Sequence, residues 1–239
     1  TQPFAFTCEG GLIKSRSTFI MQPGQALELL NFEPDIKGGY RRISGFRRQI
    51  NHIVPQTSAS SEKVLMVAFF NNKIVAARGE KIFSSASTEL ATAITSSATM
   101  SGSGTITVDS TSGFSSSGTL QINSEIFTYT GKTSTTFTGV TRATNSTSAA
   151  AHAVDDAVSE SWTERDTGRT SASKYSFERF NFDGNDKIIV TDGTNDPTVF
   201  NTSLAATDVT ESSVEGAKFV TAFKSHMFYA GMSSTPQEL

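Results

Sequence analysis

Cysteine is nearly absent. Cys8 stands alone, which excludes an internal disulfide framework and leaves the redox compartment undecided. With no C-x-x-C partner and no histidine near it in sequence, it reads as a small apolar residue. Long apolar runs are missing too: none approaches the roughly 18 residues of a membrane span. The N-terminus shows no charged-then-apolar leader, so secretion by a signal peptide is not expected, and the missing initiator Met points to processing or trimming. Charge is sparse and balanced, with 20 Lys and Arg against 23 Asp and Glu, a net −3. No bulk electrostatic case exists for nucleic acid or a membrane surface. Long Leu/Ala/Glu/Lys runs are also lacking, which argues against extensive helix.

Catalytic signatures are equally thin. No G-x-S-x-G elbow occurs, and Gly113-Phe-Ser-Ser-Ser-Gly118 has the wrong spacing. His52, His152 and His226 are scattered outside any H-E-x-x-H array, so each reads as a structural residue. Paired carboxylates of the kind a glycosidase needs occur at Asp155-Asp156, Asp183 with Asp186, and Asp192 with Asp196. The last two pairs fall in Asp-Gly turns, where turn chemistry is the stronger reading. Asn181-x-Asp183-Gly184-Asn185-Asp186 has the alternating oxygens of a calcium loop but lacks the closing bidentate Glu. The expectation is no catalytic set, no metal set and no cofactor.

What the chain has is phenylalanine, 18 residues against four Tyr and one Trp, in a background rich in Ser, Thr and Gly. That composition belongs to a β-rich, turn-rich protein. Residues 1–25 read as an extended arm in which Phe4 and Phe6 alternate. Ala26 to Glu33 reads as a strand stopped by Pro34. Arg41, Arg42, Arg47 and Arg48 form the basic cluster of a following hairpin, better suited to acidic neighbouring subunits than to DNA.

From Glu62 a hairpin unit recurs: Lys63–Phe70 with Lys73–Gly79, Tyr175–Phe182 with Lys187–Gly193, and Lys218–Phe223 with His226–Gly231. With residues 96–160 set aside, the copies fall at a period of about 40–50 residues, the signature of β-propeller blades. Trp162 then resumes the host domain. The stretch set aside is a β-rich module. Asn123-Ser124 makes a two-residue turn that sets Leu120 opposite Phe127 and Ile122 opposite Glu125, so Leu, Ile, Phe and Tyr share one face with Glu125. A carboxylate on that face needs a cation, and Arg142 is the candidate, as an internal ion pair or, less favoured, as a ligand contact. Ser146 to Ala153 has the composition of one capped helical turn. The expected fold is therefore all-β: antiparallel propeller-like blades, incomplete in this chain, with a small β-barrel or sandwich module inserted. Its parts are an arm (1–25), a discontinuous β domain (26–95 and 161–239) and the insert (96–160).

Glu125, Tyr129, Gly131, then Thr138, Gly139, Thr141 and Arg142, then Ala150, Ala151 and His152 follow an order that resembles a small module recurrent in tailed-bacteriophage virion proteins. That pattern carries Arg-Gly where this chain has Arg142-Ala143. Gly10-Gly11, Asn31-Phe32-Glu33 and Gly39 to Gly45 resemble, more loosely, the opening of tail-tube or tail-nozzle proteins with β-propeller blades. The resemblance implies a non-enzymatic virion structural protein of the tail or neck, assembled in the host bacterial cytoplasm. Its partners would be other virion proteins and copies of itself in rotational symmetry. Phe4, Phe6, Phe19, Arg41, Arg42, Arg47 and Arg48 are the expected subunit contacts. A chain with three blades needs more of them, from a longer product, from partners, or by forming an open sheet assembly; the first is favoured. Two rivals remain: a receptor- or glycan-binding fibre or decoration protein gripping a host-surface glycan through 96–160, and an envelope-glycan depolymerase using a pair such as Asp183 and Asp186.

Overall fold

In the computed structural model, residues 11–12, 25–26, 32–34, 40–42, 48–56, 62–170 and 174–232 are described. The chain divides into two compact units, Thr1–Arg47 and Arg48–Leu239. In the first, β1 (Gly11–Leu12) pairs in parallel with β2 (Gln25–Ala26), and β3 (Phe32–Pro34) pairs antiparallel with β4 (Tyr40–Arg42). The strand expected over Ala26 to Glu33 is thus described only at its two ends, and Leu27 to Asn31 lie outside the described residues.

The second unit is built from antiparallel sheets, and no helix forms among its described residues. The first sheet runs β5 (Val64–Phe70), β6 (Lys73–Arg78), β7 (Lys81–Ser85) and then β15 (Thr163–Asp166), each pairing with the next. Asn71 and Asn72 both take left-handed φ, 46° and 59°, which is the twist a two-residue hairpin turn requires. Strand β5 alternates strictly: Met66, Ala68 and Phe70 are buried while Val67 and Phe69 face out.

Between β7 and β15 the chain builds a seven-stranded, curled half-barrel sheet. It comprises β8 (Ser87–Glu89), β9 (Ser101–Thr107), β10 (Gly118–Ile122), β11 (Glu125–Tyr129), β12 (Gly131–Lys132), β13 (Thr136–Thr141) and β14 (Ala157–Glu160). It begins with β8, ahead of residue 96, and Ala86, Leu90 and Ile94 belong to its core. The β10–β11 register is Leu120 to Phe127 and Ile122 to Glu125, so the inward face carries Leu120, Ile122, Phe127, Tyr129 and Glu125, all buried. Phe137 closes this core, edge-on to both Phe114 and Tyr129. Gly139 sits at φ 62°, where a Cβ would lie 1.9 Å from Thr130 Oγ1, and the β13–β9 register shifts beside it. Only glycine permits that bulge.

The helical turn expected over Ser146 to Ala153 does not form. Asn145 and Ser146 hold left-handed φ values of 52° and 62°, which cannot start a right-handed helix. The backbone of His152 exchanges both its hydrogen bonds with Ile94. The Ala150 amide goes to Glu125 instead of up a helix.

Beyond β15, the strands β16 (Ser176–Phe180), β17 (Lys187–Thr191), β18 (Thr198–Phe200) and β19 (Ala206–Asp208) form a second four-stranded antiparallel meander. The last hairpin is β20 (Phe219–Phe223) with β21 (His226–Ala230), turned by Lys224 and Ser225 at φ 47° and 61°. The three related phrases therefore occupy β6, β17 and β21, the second strand of each sheet. Met66, Phe70, Val75 and Ile82 from the first sheet pack with Ile188, Val190 and Phe200 from the second in one core. This core is separate from that of the seven-stranded sheet.

Candidate functional site

Glu125 is the most enclosed ionisable group of the seven-stranded sheet, with no exposed side-chain surface. The β10–β11 turn puts it on the inward face, and five donors converge on it. Arg142 donates from Nε to Oε1 and from Nη2 to Oε2, both at 2.8 Å. The amides of Ala143 (3.1 Å) and Ala150 (2.9 Å) and the ring of His152 (2.8 Å) complete the shell. Bidentate, charge-assisted pairing of this kind is the strongest form of carboxylate recognition. Burial alone pushes the Glu125 carboxyl up, but the hydrogen bonds from Arg142, Ala150 and His152, with the Arg142 charge, hold it down at about 2.

Arg142 has no spare donor. Its Nη1 binds the carbonyls of Thr95 (2.9 Å) and Ala98 (3.0 Å), and Nη2 also reaches Ala150 O at 2.6 Å. Phe127 underlies it, with the guanidinium carbon 5.7 Å from the ring centroid and His152 edge-on on the same ring. The arrangement draws together three stretches outside the strands, joined otherwise by the single Ile94–His152 bridge: 95–98, the bend at Ala143 and the run to His152. Its chemistry is that of a staple. A catalytic acid or a ligand contact needs a free lone pair or a path to solvent, and Glu125 has neither. His152 is the member that the expected ion pair left out, although its place directly after Ala150 and Ala151 put it in the same module.

A second network, invisible in sequence, centres on Arg169. Its Nε and Nη2 donate to Asp192 Oδ2 at 3.1 and 2.9 Å. Nη1 donates to Asp166 Oδ2 (2.7 Å) and Thr198 Oγ1 (2.6 Å), and Thr198 in turn donates to Asp208. Arg169 thereby ties β15 of the first four-stranded sheet to β18 and the turn after β17 in the second, and through Thr198 to β19. Asp192 Oδ1 accepts the amides of Thr194 and Asn195, an Asx turn. Burial raises the Asp192 carboxyl, but the Asn195 and Thr194 hydrogen bonds and the Arg169 charge bring it below the usual carboxylate range. Asp166, Asp196, Asp208 and Glu215 border an open pocket of about 290 Å³ beside Arg169.

The remaining sequence candidates do not converge. Asp183 pairs with Lys187 at 2.7 Å, and Asp186 accepts from Asn181, in an exposed turn. Asp156 caps the Ala153 amide and accepts from Asn123. Among the described residues no group of three or more His, Cys, Asp and Glu side chains is arranged to hold a metal. Arg48 is exposed, while Phe4, Phe6, Phe19, Arg47 and the side chains of Arg41 and Arg42 lie outside the described residues. No known protein family, curated protein or solved structure matches the chain.

A third set of contacts joins the seven-stranded sheet to the first four-stranded one. Lys73 on β6 reaches Glu160 on β14 at 3.4 Å, and Ser85 Oγ donates to Glu160 O at 2.6 Å. The segment 48–56, outside both sheets, adds its own ties: Asn51 Nδ2 donates to the carbonyls of Gln121 and Ala157 in the seven-stranded sheet, and His52 O accepts from Trp162 Nε1 between β14 and β15. Burial lowers the Lys73 ammonium more than Glu160 raises it. The sheet is held at several points on both sides of its entry and exit.

Proposed function

We propose that the chain is a non-enzymatic structural protein of a bacteriophage virion, placed in the tail or neck, where copies assemble with rotational symmetry. Two uncovered apolar sheet faces carry the reading. Val67 and Phe69 on edge strand β5 are each 60 % exposed, and Phe223 (61 %) and Phe228 (40 %) share one face of the β20–β21 hairpin. Contiguous apolar surface of this kind marks contact with other protein. The resemblance of the stretch Glu125 to His152 to a module of phage tail proteins supplies the virion context.

Within this reading the two four-stranded meanders are successive propeller blades and β20–β21 opens a third, since each blade of that fold is a four-stranded antiparallel meander. Residues 86–162 are then a module inserted into the first blade, because β7 and β15 pair with each other across it. An insertion between two already paired strands costs little closure entropy. The saturated Glu125 and the turn-bound Asp183 and Asp186 favour a body protein over a depolymerase.

Light scattering on the purified chain tests the assembly, together with mass spectrometry of purified particles. The expected results are a defined oligomer that Val67→Ser with Phe69→Ser, or Phe223→Ser with Phe228→Ser, reduces to monomers, and a fixed copy number in the particle. A chain that stays monomeric at high concentration and is missing from particles overturns the proposal.

A further inference from the structure

A cleft of about 400 Å³ lies where β16 and the end of β17 meet the start of β20. Lys174, Tyr175, Ser176, Thr194, Lys218 and Phe219 line it, with Asp192 and Gly193 behind them. Neither the Lys174 nor the Lys218 ammonium has a hydrogen-bond or ion-pair partner among the described residues. The Lys218 stem is nonetheless held in place. It lies across Gly193, where a Cβ would come within 2.8 Å of its Cγ, and across Gly231, where a Cβ would come within 3.2 Å of its Cβ. The Tyr175 hydroxyl is buried and makes no hydrogen bond of normal geometry, an uncommon condition in a folded core. Phe219 presents an exposed ring at the rim. The Asp192 carboxylate does not compete for the lysines, because Arg169, Thr194 and Asn195 already fill both its oxygens.

We infer that this cleft binds an acidic saccharide, a sugar ring bearing a carboxylate. Two lysines line the cleft, Lys218 with its stem packed and Lys174 exposed, and their ammonium groups suit a small anion as point charges. The phenyl ring of Phe219 offers an apolar platform to the C–H face of a pyranose, and Ser176 and Thr194 supply hydroxyls for the ring oxygens. Such a mixture of apolar wall and few polar groups is the usual make-up of a small-ligand site. A polyanion fits poorly. Asp166, Asp196, Asp208 and Glu215 line the adjoining pocket, which shares Thr194 with this one, and would repel a nucleic acid or polyphosphate strand. The inference does not depend on a virion role, and the residues differ from those of the seven-stranded sheet.

The test is saturation-transfer NMR and calorimetry on the full chain with the singly charged methyl glycosides of glucuronate, galacturonate and N-acetylneuraminate. Their neutral methyl esters and inorganic phosphate serve as comparators. At least one acid sugar binds saturably, its ester is about tenfold or more weaker, and Lys174→Met with Lys218→Met abolishes binding while leaving the thermal midpoint unchanged. Phe219→Ala weakens the sugar without affecting any residual binding of phosphate. Three outcomes overturn the inference: no saturable binding of any acid sugar, binding untouched by the double lysine variant, or phosphate binding as tightly as the sugars.

Discussion

Arg142 and Arg169 are equally buried, each with 5 % of its side chain exposed, and each uses its whole guanidinium, yet they do different work. Arg142 closes a network inside one sheet, whose other carboxylate lone pairs are taken by backbone amides and a histidine. Arg169 bridges two sheets, and Asp166 on its outer side keeps 15 % of its surface open toward a water-accessible pocket. The first network is sealed and shapes loops. The second sits at a seam, next to groups whose bonding is incomplete. Saturation separates a staple from a site better than burial does.

Removing one partner of the sealed network has the largest expected effect. Glu125→Ala leaves Arg142 buried without its counter-ion, and the expected loss is about 3–5 kcal/mol, read from the urea midpoint. Replacing both partners together, Glu125→Leu with Arg142→Met, costs less than the sum of the single changes, because no buried charge is left unpaired. A double-mutant cycle that came out additive would mean the pair is not coupled.

Acid probes the same network without a mutation. The folded Glu125 carboxyl titrates at about 2 against an ordinary 4.5, so the unfolded chain takes up the proton first. Its contribution is complete above 4.5 and is lost as pH falls from there toward 2. Glu125→Gln should flatten the acid limb of a stability-against-pH curve in that window. An unchanged limb would assign acid sensitivity to other groups, Asp192 first.

Arg169→Met is expected to cost less, about 1–3 kcal/mol. Water entering the neighbouring pocket can solvate Asp166, although Asp192 stays buried. The loss should come with loosened packing between the two four-stranded sheets, visible as faster amide exchange in β18 and β19 than in β10 and β11. Equal exchange in both regions would remove the distinction between a seam and a sealed interior.

Much of the sheet structure could be read from period-two patterns. The Asn71-Asn72 and Asn123-Ser124 turns set the register of their hairpins, and register alone puts Glu125 indoors and makes a buried cation necessary. Arg169 carried no such signal. It lies in a loop, 167–170, with no periodicity, and its partners come from four separate strands or turns. Asp192 was legible only as a turn residue, which it is through Oδ1, while Oδ2 does the long-range work. The expected helical turn at 146–153 failed for a related reason. Composition scores the segment locally, whereas Ile94 and Glu125 claim its backbone groups from a distance.

Ala143 offers the smallest and cleanest test. It bends the chain after Arg142 at φ 55°, in the left-handed region where a Cβ costs about 1–2 kcal/mol. It remains there because its amide donates to Glu125 Oε1, so the network pays for the strain. Ala143→Gly keeps that amide and removes the Cβ, while the extra freedom of glycine in the unfolded chain returns about 0.4–1 kcal/mol. The balance is a gain of about 0.5–1 kcal/mol in the urea midpoint. The gain should persist in Arg169→Met, where the Glu125 network is intact, and shrink in Glu125→Ala, where the Ala143 amide loses its acceptor and the alanine can relax between the Arg142 and Thr144 backbone bonds. A gain of the same size in both backgrounds would show that the bend is set by the chain itself and not by the carboxylate it caps.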